Sequence, residues 1–246
     1  MQRQTMEDLR PVKNDAVSRS LAHQIMQRLR TEIIHGKLAP GERLVELDIA
    51  RRMGTSQGPV REALQMLERD GLVERRAHTA TFVAPMSFDD MYELFKIRSW
   101  VESYAIRRAA KRITDTDCDM LDGLIADMRH AGLRDDMVAL VEHDMAFHRH
   151  LCEWSGSPTV VQMWMPLYAQ IQRFIAQNHP LHFKRLADIA DTHNPIVAAL
   201  RKRRPAAAAR AVREHIMLIW SMMERRNLRT SKAHTCRPKR HASAQS

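Results

Sequence analysis

Cysteine is scarce in this sequence of 246 residues. The chain has three cysteines, Cys118, Cys152 and Cys236, and none of them lies in a CxxC pair. An odd, widely spaced set does not fit a disulfide scaffold, and it fits a protein kept in a reducing compartment. A zinc–thiolate site is not expected either. We therefore expect a cytoplasmic protein.

Long hydrophobic runs are also missing. The N-terminal residues MQRQTMEDLRPVKND contain no apolar signal-peptide core, and the longest uncharged apolar stretch, at 216–223, is far too short to span a bilayer. The motifs HExxH, GxSxG and a glycine-rich phosphate loop are absent too. We expect neither a membrane protein nor an enzyme.

Acidic residues are too few to balance the basic ones. Lys and Arg number 39 against 29 Asp and Glu, so the formal charge is +10 and the sequence pI is about 10.1. Such a balance favours polyanionic partners. Part of the excess lies in residues 227–246, which we predict to be a basic disordered tail, and residues 1–18 are predicted to be a flexible N-terminus.

Hydrophobic periodicity predicts two helices near the N-terminus. The first follows a possible cap at Ser20, ends at residues 36–41, and has an apolar row at Leu21, Ile25, Leu29 and Ile33. The second covers VELDIARRM and ends at Gly54, because glycine accepts the left-handed conformation of a helix C-terminus. Its predicted buried side consists of Leu47, Ile49, Ala50 and Met53.

A third helix begins only three residues later, which forces the steep crossing of a helix-turn-helix. Its predicted core face is Val60, Ala63, Leu64 and Leu67, and its polar row is Gln57, Arg61 and Gln65. Pro59 lies in the first turn, where free N–H groups and the positive helix end suit a phosphate. Arg and Gln can recognise base edges in a major groove. The alternative is a helical hairpin with a solvated polar face.

Two β-rich runs, 72–75 and 81–83, surround a short basic turn and predict a hairpin. Three helices closed by a hairpin form a winged helix, which we place at 19–85, with a linker at 86–88. The predicted DNA contacts are Arg51, Thr55, Ser56, Gln57, Gly58, Arg61, Gln65, Arg75, Arg76 and His78.

The segment GTSQGPVREALQMLERDGLV, followed by TFVAP, resembles the DNA-binding domain of GntR-type bacterial transcription regulators, and GKLAPGERLVELDIARRMG is similar to the upstream half of that domain. The resemblance covers about residues 20–85 and implies sequence-specific DNA binding. Gln57 stands where the family usually carries arginine, and Ala77, His78 and Ala80 stand where glycines are usual.

From residue 89 to about 226 only helical periods occur, which predicts an all-helical domain and a mainly α protein. Ser87 is the predicted cap of a helix that runs from about Asp89 to Lys111. The apolar stripe of this helix contains Arg98 and Glu102, and buried charges are costly unless they are paired or used. One interpretation is an internal salt bridge, since the two residues are four positions apart.

The same pattern recurs in three later helices, where metal-ligating side chains complete an apolar stripe. Asp144 and His148 lie one turn apart on one face, and His193 and His215 each complete another stripe. An oxygen and three imidazoles in a helical core could hold a divalent ion such as zinc or nickel. The alternative is a set of hydrogen-bonded core histidines, because the chain has 13 histidines and chance placements are common.

This part of the chain is similar to the ligand-sensing helical (FCD) domain of FadR-type GntR regulators. The similarity lies in the Asp-x3-His pattern, the two later histidines and the Arg-x3-Glu of residues 98–102. The resemblance covers about residues 89–226. It implies a metal held by Asp144, His148, His193 and His215, with a small organic acid beside it. Arg98 and Glu102 would then contact this effector, since a guanidinium can clamp a carboxylate.

The sequence thus predicts a metabolite-responsive transcription regulator, with repression as the default. A homodimer is expected, because one winged helix buries little surface and two copies would bind both halves of a palindromic double-stranded operator. A metalloenzyme with a DNA-tethering winged helix and an architectural DNA-binding protein are the alternatives.

Overall fold

The computed structural model describes residues 13–76 and 80–224, with side chains described from residue 21 onward. The predictions for the first twelve residues, for Ala77 and His78 of the wing, and for the tail at 227–246 lie outside the described residues. The chain divides into two compact units. Among the described residues, those up to 86, together with 168–173, form the first, and 87–167 with 174–224 form the second.

The first unit has three helices and a three-stranded antiparallel sheet. In chain order the elements are α1 (Lys13–Ile34), β1 (Arg43–Leu44), α2 (Glu46–Met53), α3 (Gln57–Arg69), β2 (Val73–Arg76) and β3 (Ala80–Val83). The sheet order is β1-β3-β2, and Arg75 of β2 pairs with Thr81 of β3. The predicted winged helix-turn-helix is confirmed.

Apolar rows of α1 and α3 form the core of this unit. The rows predicted from periodicity are buried except at Leu21, which is partly buried: Ile25, Leu29 and Ile33 in α1, and Val60, Ala63, Leu64 and Leu67 in α3, are each at most 2% exposed. Because α3 buries this side, its polar row faces solvent. The interior packing therefore fixes which side chains of α3 are presented outward.

Three local predictions differ from the structure. Helix α1 already begins at Lys13, so Ser20 lies inside it and residues 13–18 are helical rather than irregular. Leu47 is 43% exposed, because it lies about 200° around the helix from Ile49, outside the α2 face that is buried. Strand β1 was not predicted, since two residues are too few to show an alternation.

The second unit is helical throughout its described residues, as the fold class predicted. Its elements are α4 (Phe88–Ala109), α5 (Asp115–Leu133), α6 (Met137–Glu153), α7 (Pro158–Trp164), a 3-10 turn (Met165–Leu167), α8 (Tyr168–His182, of which 168–173 belong to the first unit), α9 (Ala187–Asp191), α10 (Asn194–Arg201) and α11 (Pro205–Ile216), followed by helical residues 218–224. Ser87 caps α4 by accepting a hydrogen bond from the Asp90 N–H, as predicted. None of the described helices is both long enough and apolar enough to cross a membrane.

Candidate metal centre and DNA-binding surface

Four side chains with metal-ligating atoms meet inside the second unit. Asp144 and His148 come from α6, His193 is the N-cap of α10, and His215 lies in α11. Pro195 in the first turn of α10 lets that helix begin directly after His193. One ligand atom from each residue lies within 4.8 Å of all the others. The structure thus brings together the whole set predicted from sequence.

The neighbouring Glu102 determines which ring nitrogen of His148 carries the proton. Its Nδ1 lies 2.5 Å from Glu102 Oε2. Burial alone would raise the pKa of Glu102, but Arg98 and His148 outweigh that effect and hold the pKa at about 2. An ionised carboxylate can only accept a hydrogen bond, so Nδ1 of His148 donates and Nε2 keeps its lone pair.

The tautomers of the other two histidines follow in the same way. Thr192 donates its hydroxyl proton to the Ile189 carbonyl over 2.6 Å and therefore accepts from His215 Nδ1, 3.0 Å away. His193 Nδ1 donates to the same carbonyl over 3.2 Å. In each neutral ring the proton is on Nδ1, so the Nε2 atoms of His193 and His215 can act only as acceptors.

With these tautomers, three Nε2 lone pairs and one carboxylate face each other. His148 Nε2 lies 3.1 Å from His215 Nε2, and His193 Nε2 lies 3.2 Å from Asp144 Oδ1 without forming a hydrogen bond. Acceptors this close repel each other unless a cation lies among them. Donor atoms bound to one ion at about 2.1 Å lie about 3.0–3.4 Å apart at tetrahedral or octahedral angles. The residues fit a divalent metal.

Burial keeps these ligands in the form that binds a metal. It lowers the pKa of His148 and lowers that of His215 well below its ordinary value, so both rings are neutral near pH 7. Burial would raise the pKa of Asp144, but at low pH the protonated rings of His193 and His148, together with Arg98, outweigh it and leave this pKa far below its usual range. A neutral imidazole and an ionised carboxylate are the ligand forms that a metal needs.

Glu102 occupies the centre of a buried hydrogen-bond network. It accepts from Arg98 Nε and Trp164 Nε1, both over 2.8 Å, as well as from His148. The internal Arg98–Glu102 salt bridge considered from the sequence is therefore present. Both Glu102 oxygens accept hydrogen bonds from buried donors, and the residue does not line the neighbouring cavity; its predicted contact with an effector stays a prediction.

A small cavity of about 20 Å³ lies beside the four ligands. Its wall includes Asp144 and His215, and also Arg98, whose Nη2 is buried without a hydrogen-bond partner among the described residues. The volume holds about one water molecule, so a larger ligand has to open it. Arg98 thus offers a free charged donor next to the candidate metal centre.

Sequence reasoning missed His179, which also lines this cavity. It lies in α8, a helix for which no apolar stripe was traced. Ile171, Ile175 and His179 are four residues apart and form the same pattern that revealed the other histidines. The signal was therefore present in the sequence.

The candidate DNA-binding surface is built around the start of α3. Gly54 takes the left-handed conformation with φ 63°, and the Ser56 side chain forms no capping hydrogen bond in the described structure. The first N–H groups of α3 are therefore left without a side-chain acceptor. Most of the predicted contacts are exposed here: Arg51, Ser56, Gln57, Gly58, Arg61, Gln65, Arg75 and Arg76, with Thr55 half-buried.

A groove of about 460 Å³ contains Gln57, Arg61 and Arg75 in its lining. Arg61 donates to both carboxylate oxygens of Glu46, from Nε over 3.3 Å and from Nη2 over 2.9 Å. This hydrogen bonding raises the pKa of Arg61. Glu46 thus holds the orientation of the guanidinium, while the Arg61 side chain stays 55% exposed.

Two family models match the chain. The model for bacterial regulatory proteins of the gntR family matches residues 21–83, and the FCD domain model matches residues 93–217, about half of the chain. The chain belongs to the GntR family. It is a DNA-binding transcription regulator with a C-terminal FCD domain, and not an enzyme.

Relatives of this GntR regulator carry regulatory names. A probable D-xylose utilization operon transcriptional repressor from Paenarthrobacter nicotinovorans is 30% identical over 82% of this chain and 90% of that protein. The HTH-type transcriptional repressor RspR from Escherichia coli is 30% identical over 80% of this chain and 86% of that protein. The solved structure of E. coli McbR/YncC shares the fold, with a TM-score of 0.70 at 20% identity over 84% of this chain and 98% of that one.

The Glu102 network of this GntR regulator yields a stability prediction. Glu102→Gln leaves the buried Arg98 charge without an ionised partner, so we expect the free energy of unfolding at pH 7 to fall by about 3–5 kcal/mol. The matched control is Glu153→Gln, because Arg149 and Glu153 are also four residues apart, with Nε 2.7 Å from Oε1, but half-exposed. Glu153→Gln should lower the free energy of unfolding by less than about 1 kcal/mol. Urea denaturation measures the free energy of unfolding of both variants.

The pH dependence has a defined sign. The folded pKa of Glu102, about 2, lies below its ordinary value of 4.5, so its stabilisation is complete above pH 4.5 and is lost as the pH falls towards 2. The difference in the free energy of unfolding between the wild type and Glu102→Gln should therefore shrink as the pH falls from 4.5 to about 2. Equal costs for the two substitutions at pH 7 would contradict the assignment.

Proposed function

We propose that this GntR regulator is a repressor whose operator binding responds to a small carboxylic acid, bound beside a divalent ion. Asp144, His148, His193 and His215 would hold the ion. The observation that carries this proposal is the convergence of three histidines and one carboxylate, in which each histidine has its Nδ1 hydrogen-bonded to a residue outside the ligand set and its Nε2 left for an ion. Repression is supported by the names of the relatives.

The ligand set favours zinc or nickel. The three imidazoles are borderline ligands, which suit these ions better than calcium or magnesium, and zinc and nickel also accept a carboxylate oxygen. When bound, the ion would supply a positive centre and open coordination positions to an acid. Glu102 and Thr192 would keep His148 and His215 in the tautomer that presents Nε2.

Arg98 would clamp the acid. Its Nε is held by Glu102, which fixes the guanidinium plane, while its buried Nη2 has no partner among the described residues and lies in the cavity wall. A carboxylate would satisfy this donor and neutralise a buried charge. The acid can shift DNA affinity only through its different affinity for the two arrangements of the protein.

The residues of the first unit would bind the operator in two ways. The start of α3, with Ser56 and Gly58, together with Thr55, Arg51, Arg76 and His78, would contact phosphates. Gln57, Arg61, Gln65 and Arg75 would reach base edges in the major groove. We keep the division into a DNA-binding domain at 19–85, a linker at 86–88 and an effector domain at 89–226 as part of this proposal, and we place the protein in the cytoplasm.

Two copies would bind one palindromic operator, and the second unit offers a surface for their contact. Ile97, Trp100, Tyr104 and Met163 of α4 and α7 are 46–68% exposed and line an apolar groove of about 510 Å³. Contiguous exposed aromatic and aliphatic groups of this kind mark protein interfaces. We assign this surface, the α4–α7 face, to the homodimer.

For the dimer, we expect Trp100→Glu to give a monomer in analytical ultracentrifugation, because the charge would be buried unpaired in the interface. Met120→Glu is the control, since Met120 of α5 is also exposed, at 48%, but lies outside the α4–α7 face. A dimer that persists in Trp100→Glu at micromolar concentration would show that this face is not the interface.

For DNA recognition, we expect Arg61→Ala to weaken specific binding by about 10- to 100-fold, since a bidentate base contact contributes roughly 1–3 kcal/mol. Gln57→Arg should shift the selected half-site towards guanine. The control is Arg28→Ala, an exposed arginine of α1 that does not line the groove. Binding selection from a random DNA library measures all three. If Arg61→Ala selects the same sites with the same affinity as Arg28→Ala, the recognition surface lies elsewhere.

For the metal, elemental analysis should find one divalent ion per chain in the wild type and much less in His148→Ala. His143→Ala is the matched control, because His143 lies in the same helix but outside the ligand set. DNA titrations with a panel of short carboxylic acids should show a response in wild type and His143→Ala and none in His148→Ala, with effector-free DNA binding retained. Wild-type protein without stoichiometric metal, or a response that survives His148→Ala, would contradict the proposal.

A further inference from the structure

The cavity beside the candidate metal centre contains a second polar group with no assigned role. His179 of α8 is 9% exposed and lies in the cavity wall. Its Nδ1 is buried and has no hydrogen-bond partner within the described part of the chain. A histidine that only stabilises the core would have a hydrogen-bond partner at this nitrogen. A purely structural role therefore does not explain His179.

An unpaired buried nitrogen costs about 1–3 kcal/mol, and native proteins rarely leave one. Arg98 Nη2 and Asp144 Oδ2, which are also buried without a partner among the described residues, belong to side chains that line the same cavity. Asp144 belongs to the candidate metal ligands, but Arg98 and His179 do not, and their two unsatisfied nitrogens indicate a bound molecule with at least two polar groups. Water alone would satisfy at most some of them in about 20 Å³.

The charge state of His179 limits what it can bind. Burial lowers its pKa to about 4, so the imidazole is neutral near pH 7. A neutral ring can form a hydrogen bond with a hydroxyl, a carbonyl or a carboxylate, but only Arg98 can also form an ion pair with a carboxylate. A carboxylate is therefore bound more strongly by Arg98, which leaves His179 for a second polar group of the same molecule.

A hydroxyl is the group that fits best. It can donate and accept, so it satisfies His179 Nδ1 in either tautomer, whereas a carbonyl satisfies only the protonated nitrogen. The rest of the wall is largely apolar and includes Ile175, Phe183, Ile189 and Ile219. A short hydrocarbon skeleton suits those side chains, and the small volume favours few carbon atoms.

We propose that His179 is a specificity-determining residue that binds a hydroxyl group of the effector, so that this regulator responds to small hydroxycarboxylic acids in preference to simple carboxylic acids. Arg98 binds the carboxylate and His179 the hydroxyl. This inference rests on the proposed function, because it takes the acid to lie in the cavity beside the metal centre.

The test compares three probes of equal carbon number on the purified, metal-containing protein: propionate, 2-hydroxypropionate and 3-hydroxypropionate. Isothermal titration calorimetry should show one of the two hydroxy acids binding at least about 10-fold more tightly than propionate, as one buried hydrogen bond would give. His179→Leu should abolish this preference and leave propionate affinity and metal content unchanged. His179→Gln, which can still hydrogen-bond, should keep part of the preference.

His182→Leu is the control on the same helix, because His182 does not line the cavity, and it should behave like the wild type. A hydroxy-acid preference that survives His179→Leu would assign the hydroxyl to the metal and overturn the inference. So would equal affinity of the wild type for all three probes. Protein that holds no stoichiometric metal and binds none of the probes would overturn the proposed function itself, and this inference with it.

Discussion

The second unit is organised around one electrostatic constraint, which is that three imidazole nitrogens and a carboxylate converge with their lone pairs facing inward. His148 and His215 approach to 3.1 Å, and neither nitrogen has a hydrogen to offer. Residues outside the ligand set determine this arrangement. Glu102, Thr192 and the Ile189 carbonyl each accept a hydrogen bond from a histidine Nδ1–H, which leaves the Nε2 atoms facing inward. A core of hydrogen-bonded histidines would show the opposite, with one Nε2–H between each pair.

The buried charges of α4 follow from the same constraint. Glu102 has to stay ionised to hold His148, and Arg98 and Trp164 stabilise that ionised state by donating to its Oε1. Arg98 thereby serves two purposes, since Nε belongs to this network and Nη2 remains for a ligand. The winged helix shows a comparable arrangement at its surface, where Glu46 orients Arg61 while leaving it exposed.

Periodicity predicted much of this architecture, because burying an apolar stripe also decides which polar residues point inward. It placed Asp144 and His148 on one face of α6 and identified the exposed row of α3. It failed for Leu47, where a helix of 8 residues offers too few turns to define a face. Spacing within α4 indicated the Arg98–Glu102 pair, but the contacts of Glu102 with His148 and Trp164 join helices far apart in sequence, and no pattern within one helix contains that information.

The protonation of the three histidines decides between a metal centre and a satisfied core. The most direct measurement is ¹⁵N NMR of the imidazole nitrogens in the protein as purified, with the three rings assigned by substitution. The account predicts that His148, His193 and His215 all carry their proton on Nδ1 and that each Nε2 has the chemical shift of a metal-bound nitrogen. A proton on Nε2 of His148 or His215, in protein without a bound ion, would contradict it.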